Sequence, residues 1–165
     1  HPNETLILVT ADHETGGLTM GFAGTAYNSY IDRLNAQTRS RDGFDSALKK
    51  LQKEKPELTF DDIKPLLSDS FGFVFDRRLK TAMVVNEKEC AELENAFNRW
   101  KQNPKSGALS LAAAKCLNNK AGLAWTSNAH TALPVETSAS GAQSEVFSGS
   151  IDNTDIAKTL KQLVK

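Results

Sequence analysis

The apolar positions of the chain follow a strand-like pattern near both ends. Residues 5–11 form a nearly continuous apolar run with β-branched members, which is typical of a strand buried on both faces in a parallel sheet flanked by helices. Residues 18–24 predict a short second strand, and strand character returns in residues 123–127 and 133–138. The small residues at 139–142 predict a turn. We therefore expect sheet elements at both ends of the chain.

Between these ends, apolar residues recur at the spacing of amphipathic helices. Thr59 with Asp62, and Asn86 with Glu89, have the spacing of capping boxes, which begin helices. Pro65 is expected to bend or end the first of these helices. The apolar stripes of the predicted helices comprise Tyr27, Tyr30, Ile31 and Leu34; Phe44, Ala47, Leu48 and Leu51; Cys90, Leu93, Phe97 and Trp100; and Leu109, Ala113, Cys116 and Leu117.

Three further segments complete the pattern. Residues 71–75 and 81–85 each fit either a short strand or a packed loop. Asp152 is placed to cap a final helix. The stripe that we expect this last helix to bury comprises Ile156, Leu160, Leu163 and Val164.

The order of these elements predicts an α/β fold with a helical insertion. Residues 1–25 and 121–165 are expected to form one unit that contains the sheet, and residues 26–120, approximately, are expected to form the insertion. A chain of 165 residues is long enough for one domain with a real core. Its hydrophobic fraction of 39% and charged fraction of 24% are ordinary for a globular protein.

The charge balance and the lengths of the apolar runs indicate which kinds of partner to expect. The 20 basic residues are balanced by 20 acidic ones, so nothing directs the chain towards nucleic acid or an anionic membrane. The apolar runs all fall short of the roughly 20 residues that span a bilayer. We therefore expect neither a nucleic-acid partner nor a membrane span.

The cysteines and the first residues bear on context. Cys90 and Cys116 are too few for a disulfide scaffold and are not spaced as a zinc pair. They fit either two buried thiols or a single disulfide between neighbouring helices in an oxidising compartment. The chain begins at His1 without methionine and enters a predicted strand within a few residues. This start fits a processed product, an artificially bounded chain or a segment of a longer protein, and the short approach to the strand favours the last two.

The most informative chemistry follows two of the predicted strands. Asp12 and His13 come directly after the apolar run at 5–11, and His130 follows the strand-like residues 123–127. A carboxylate and imidazoles suit zinc. Asp12 and His13 can bind one ion only if the backbone turns off the sheet there, because neighbouring side chains of a straight strand point to opposite faces. The alternative is structural: Asp12 caps the next turn and His13 packs or hydrogen-bonds.

Small residues surround both motifs. Gly16 and Gly17 follow the first, and Thr126, Ser127 and Thr131 flank His130. We expect these small side chains to leave room for a bound ion or anion.

Three segments resemble motifs of bacterial alkaline phosphatases. Residues 10–17 read TADHETGG, residues 125–131 read WTSNAHT, and residues 147–156 read FSGSIDNTDI. The resemblance implies a partial alkaline-phosphatase-like sheet flanked by helices. It also implies hydrolysis of phosphate monoesters with two zinc ions and one magnesium ion. By resemblance, Asp12 and His13 ligate the zinc that activates a serine nucleophile, and His130 ligates the other zinc.

The departures from the family pattern indicate a C-terminal fragment. The family's nucleophilic serine and its remaining metal ligands, including the magnesium site, belong to upstream positions. Residues 45–47 read DSA and superficially resemble the nucleophile motif, but they follow Asp12-His13 and fall in a predicted helix. The resemblance therefore implies no catalytic residue in this chain, an inactive fragment, and a parent enzyme that is periplasmic or secreted.

Two alternatives remain open at this point. The chain could belong to a phosphodiesterase or sulfatase of the same superfamily, which would share Asp12, His13 and His130. The helical insertion could instead be an interaction module, either the contact of a homodimer or a lid over the site. In that case the stripe that contains Phe97 and Trp100 would face a partner rather than a core.

Overall fold

The structure is a computed structural model that describes residue 1 and residues 3–164. The described residues form a mixed α/β arrangement of short strands and five α-helices. The strands are β1 (Leu6–Val9), β2 (Leu18–Met20), β3 (Leu123–Trp125) and β4 (Ser138–Gly141). The α-helices are α1 (Arg41–Glu54), α2 (Phe60–Phe71), α3 (Glu87–Gln102), α4 (Ala108–Ala121) and α5 (Asn153–Leu163), and 3-10 helices occupy Ala23–Thr25, Ile31–Ala36 and Ser144–Phe147.

The chain divides into two compact units. The first consists of His1–Gly17 with Trp125–Lys165, and the second of Leu18–Ala124. The first unit carries Asp12, His13 and His130, whereas helices α1 to α4 lie in the second. The predicted role of residues 26–120 as an insertion stays a prediction.

In the first unit, β1 pairs with β4 in antiparallel register, with Leu6 opposite Gly141 and Val9 opposite Ser138. The expectation of a parallel strand buried on both faces is therefore wrong for β1 in this unit. Ile7 and Val9 are 58% and 62% exposed, and the alternate positions are half-buried. An apolar run indicates which side chains a strand can bury, whereas the strand's pairing partner and direction depend on distant residues.

The partner strand itself was misplaced by the sequence pattern. Ser138–Gly141 forms β4, where a turn was expected for 139–142, and residues 133–137 lie outside any strand. Small side chains such as these have weak strand propensity. Backbone pairing with β1 stabilises this strand despite its weak local propensity.

The last helix is capped as expected. The Asp152 side chain accepts a hydrogen bond from the Thr154 backbone at 2.9 Å, and α5 follows. The predicted burial of its stripe is met only in part: Ile156, Leu160 and Leu163 are half-buried, none of the described residues of α5 is fully buried, and Val164 is 84% exposed. The helical spacing indicated the apolar face correctly, but spacing alone does not supply a surface for that face to pack on.

The second unit has a core of its own. Helices α1 to α4 bury a cluster of aliphatic and aromatic side chains, and α3 packs against α4. Both predicted capping boxes are present, at Thr59 with Asp62 and at Asn86 with Glu89. Pro65 lies inside α2 without ending it. The core comprises Phe44, Leu48, Leu58, Phe60, Ile63, Leu67, Phe71, Phe73, Val85, Leu93, Ala96, Phe97, Trp100, Leu109, Ala113, Cys116 and Leu117.

The ambiguous segments of the middle section pack as loops with one point of pairing. Val74 and Val84 form an isolated parallel bridge. The Val74 amide donates to the Met83 carbonyl at 3.0 Å, and the Val85 amide donates to the Val74 carbonyl at 2.9 Å. The stripe predicted for 27–34 begins its helix only at Ile31, because Tyr27 has a φ of 64° in the preceding turn.

The burial of α3 corrects one of the alternatives. Phe97 and Trp100 are 2% and 1% exposed, and their rings stack with centroids 5.8 Å apart. The apolar stripe of α3 therefore faces the core of its own unit, and an interface built on these two side chains is excluded. None of the helices in the described part of the chain combines the length and apolar character needed to cross a bilayer.

The two cysteines are free thiols in the structure. Cys90 is half-buried and Cys116 is buried in the core. Burial raises the pKa of the Cys116 thiol to about 12, which makes it a poor nucleophile and a poor metal ligand near neutral pH.

Candidate metal centre

The first unit brings the two histidine-bearing loops together. Residues 12–17 follow β1, and residues 125–131 extend from the end of β3. The rings of His13 and His130 stack with their centroids 3.4 Å apart and their planes inclined by 23°. The structure therefore places the three predicted metal ligands in one region of the unit.

Asp12 and His13 point the same way because the backbone bends at both residues after β1 ends. The His13 amide donates to Asp12 Oδ1 at 3.0 Å, which turns the carboxylate back towards its neighbour. His13 Nε2 lies 3.4 Å from Asp12 Oδ2. The backbone therefore turns off the strand at these residues, which was the condition for the two side chains to bind one ion.

The separation of these two atoms fits shared coordination. Zinc bonds to nitrogen and oxygen are about 2.0–2.1 Å long, so two ligand atoms of a tetrahedral site lie roughly 3.3 Å apart. The observed 3.4 Å between His13 Nε2 and Asp12 Oδ2 matches that edge. Both side chains remain accessible, at 37% and 86% exposure.

The backbone of the loop orients the His13 ring. His13 Nδ1 lies 2.7 Å from the carbonyl oxygen of Glu14. A carbonyl oxygen can only accept, so Nδ1 carries the proton in the neutral ring and Nε2 presents its lone pair. A ring nitrogen held in this way is the usual companion of a metal-binding imidazole.

The His130 loop has a local structure of its own. Ser127 Oγ donates to the Ala129 carbonyl at 2.7 Å and accepts from the Ala129 amide at 3.2 Å. This compact turn directly precedes His130. Among the described residues, no cluster of three or more histidine, cysteine or acidic side chains has the geometry of a metal site. Asp12, His13 and His130 therefore lie near one another without forming a closed three-ligand site among these residues, and their role as metal ligands stays a prediction.

Glu14 is the residue that sequence reasoning missed. Its Oε2 accepts from the amides of Gly16 at 2.7 Å and Gly17 at 2.5 Å, and its Oε1 accepts from the amide of Thr131. Burial raises the pKa of the Glu14 carboxyl, but the hydrogen bonds from Thr131, Gly17 and Gly16 outweigh it and lower the pKa to about 2. The carboxylate is therefore charged near neutral pH. A glutamate followed by two glycines was the available sequence signal.

The two glycines serve close packing of the loops rather than space for a ligand. Gly16 and Gly17 have φ values of 113° and 66°, where L side chains are rare. A Cβ on Gly16 would lie 2.8 Å from the Ser127 carbonyl oxygen, and a Cβ on Gly17 would lie 2.9 Å from Thr126 Oγ1. The expectation that the glycines leave room for an ion is therefore wrong, because the second loop fills that space.

The residues that superficially resemble a nucleophile motif are part of a helix. Residues 45–47 lie within α1, and Asp45 Oδ2 accepts a hydrogen bond from Ser110 at 2.9 Å. Ser110 is fully buried, and the Gly107 carbonyl lies 3.0 Å from the same hydroxyl, so the single hydroxyl proton is shared between the two acceptors. Asp45 thus joins α1 to the start of α4, which is a structural role.

Comparison with known proteins gives this geometry a context. The family model described as alkaline phosphatase matches residues 1–165. Alkaline phosphatase 3 of Bacillus subtilis is 29% identical over 157 residues, which cover 94% of this chain and 29% of that protein. Alkaline phosphatase 4 of the same organism is 29% identical over 161 residues, which cover 98% of this chain and 30% of that protein.

A solved structure agrees with the sequence relatives. The cold-active alkaline phosphatase of a psychrophilic Shewanella species superimposes with a TM-score of 0.71 at 28% identity, over 100% of this chain and 35% of that chain. The predicted α/β class with an alkaline-phosphatase-like fold is thereby confirmed. This chain spans less than a third of the length of the two curated Bacillus relatives. From the match over its whole length, the chain belongs to the alkaline phosphatase family.

Proposed function

We propose that this chain is the C-terminal part of a zinc-dependent enzyme that hydrolyses phosphate monoesters. The observation that carries the proposal is the 3.4 Å separation of His13 Nε2 and Asp12 Oδ2, together with the stacking of His130 on His13. In this proposal Asp12 and His13 bind one zinc ion, and His130 contributes to the second. The names of the relatives favour phosphate monoesters over the diesters and sulfate esters of the wider superfamily.

Each side chain has a defined part in this proposal. His13 presents the Nε2 lone pair because Nδ1 is held by the Glu14 carbonyl, and Asp12 adds a negative charge 3.4 Å away. A bound pair of zinc ions would supply Lewis-acid stabilisation of the entering and leaving oxygens of an in-line displacement. The two imidazoles and the carboxylate would hold the zinc ions at that place and would leave coordination positions for phosphate.

The remaining machinery is expected elsewhere in the complete enzyme. We assign no nucleophile and no magnesium ligand to this chain, so the isolated chain is expected to be inactive. A magnesium ion, a periplasmic or secreted location and a homodimeric state are parts of the same proposal. They rest on the resemblance to the family and not on contacts in this unit.

The zinc assignment is tested by zinc content and turnover of the complete protein. We expect His130→Asn to lose one of two bound zinc ions and to hydrolyse p-nitrophenyl phosphate at least about 100-fold more slowly. The matched control is His1→Asn, which changes an exposed histidine whose ring contacts Glu4. Wild-type zinc content and turnover in His130→Asn would rule the assignment out.

The isolated chain gives a second test. With zinc and p-nitrophenyl phosphate, it should release nitrophenol no faster than zinc alone. Turnover clearly above that blank would show that a nucleophile lies among these 165 residues and would contradict the proposed division of the site.

A further inference from the structure

The side chain of Glu14 joins the two histidine-bearing loops next to both histidines. We propose that it is a positioning residue that fixes the distance between His13 and His130, and hence between the two metal-binding positions. This inference rests on the proposed function, since it concerns what holds that site in shape.

The two carboxylate oxygens of Glu14 bind different loops. Oε2 accepts from the amides of Gly16 and Gly17, at 2.7 and 2.5 Å, within its own loop. Oε1 accepts from the amide of Thr131, which is separated from Glu14 by 117 positions in the sequence. A carboxylate that only closed its own loop would need the first set of bonds and not the second.

The positions of these bonds relative to the histidines are also informative. Glu14 directly follows His13, and Thr131 directly follows His130. The hydrogen bond between them therefore joins the residues next to the two imidazoles. The Glu14 carbonyl oxygen in addition lies 2.7 Å from His13 Nδ1. One residue thus orients the first ring and sets the place of the second.

Other bonds between the loops lie farther from His130. The amides of Thr126 and Ser127 donate to the Gly16 carbonyl at 2.9 and 3.2 Å, at the opposite end of the second loop. Within the described part of the chain, no hydrogen bond holds the His130 ring itself. Its position therefore depends on its neighbours, and the contact from Thr131 to Glu14 restrains the side of the loop that carries the ring.

Acceptance from three backbone amides requires a carboxylate. In Glu14→Gln one oxygen becomes an NH₂ group, which can only donate and would face an amide N–H. Glu14→Asp keeps both acceptors but shortens the side chain by one methylene group. The matched control is Glu136→Gln, which makes the same chemical change at an exposed residue of the same unit.

The test uses the complete zinc-loaded protein. We expect Glu14→Gln to release zinc to a coloured chelator about 10- to 100-fold faster than Glu136→Gln, because loss of residues that orient metal ligands typically has effects of that size. Its kcat for p-nitrophenyl phosphate should fall by a similar factor with little change in KM. Replacing zinc with cobalt should give an altered visible spectrum, which reports the geometry of the metal ligands.

Several outcomes separate this inference from a purely structural role and from the proposed function. Lower thermal stability of the zinc-free Glu14→Gln protein, with zinc release and the cobalt spectrum as in the control, would overturn the positioning role. Glu14→Asp gives the same comparison if the glutamine variant does not fold, with intermediate zinc release expected. A wild-type protein that binds no zinc would instead refute the proposed function.

Discussion

The core of the helical unit can be tested with two leucines of one helix. Leu117 and Leu111 both lie in α4, where Leu117 is 1% exposed and Leu111 is 37% exposed. Replacing either with alanine makes the same chemical change and has the same small effect on helix propensity. The difference between the two variants therefore isolates the contribution of the buried position.

The expected magnitude follows from burial. Leu117 belongs to the cluster shared by α1 to α4, and truncating such a leucine typically costs about 2–5 kcal/mol through lost transfer energy and the cavity left behind. Leu111 keeps more than a third of its surface in water, so we expect a cost below about 1.5 kcal/mol for Leu111→Ala. A gap of at least about 2 kcal/mol corresponds to a shift of roughly 1.5 M in the urea midpoint for a unit of this size.

Tryptophan fluorescence can follow this unit selectively. Trp100 is 1% exposed in the same core, whereas Trp125 belongs to the other unit. In a Trp125→Phe background, the emission of Trp100 reports urea unfolding of the helical unit. The reasoning would be refuted if both alanine variants had the same midpoint. A midpoint that rises with protein concentration would likewise contradict it, because the stripe of α4 would then face a partner rather than its own core.

Three further predictions concern single positions. Gly16→Ala should weaken zinc retention and thermal stability more than Gly149→Ala. Both residues have positive φ, but of the two only Gly16 would place an added Cβ 2.8 Å from a backbone oxygen. Equal rates of zinc release to a chelator and equal melting temperatures in the two variants would contradict this. Lys120→Met should cost about 3 kcal/mol in urea unfolding, since it leaves the partly buried Glu89 without the cation 2.8 Å away; an unchanged midpoint would show that the ion pair is dispensable. The pKa of Asp62 is lowered in the folded state, first by its hydrogen bond with Lys55. Its contribution to folding stability is therefore present above the ordinary aspartate pKa and is lost as the pH falls through the lower folded value. The stability difference between wild type and Asp62→Asn should shrink between about pH 5 and pH 2, and a constant difference would argue against a lowered pKa.

The helical part of the chain was largely readable from sequence. The apolar stripes of α1, α3 and α4 and both capping boxes lie where the pattern predicted. These signals are short-range, because a capping box involves residues three apart and a helix face repeats within four. The motif at residues 10–17 likewise indicated the family before any fold was known.

The sheet and the candidate site depended on contacts between distant segments. The antiparallel pairing of β1 with β4 brings together residues 6–9 and 138–141, and nothing local to either segment specified it. The half-buried face of α5 shows the same limit, since an apolar stripe is visible in the sequence but the surface that it packs on is not.

The candidate site shows most clearly what tertiary structure decided. The chemistry of Asp12, His13 and His130 was visible as residue types in a recognisable order. The stacking of the two rings, the 3.4 Å edge between Asp12 and His13 and the link from Glu14 to Thr131 were not. Hydrogen-bond geometry between segments more than 100 positions apart arises only when both backbones are in place. The glycines that follow Glu14 were visible in the sequence, but the bond from Thr131 to Glu14 was not.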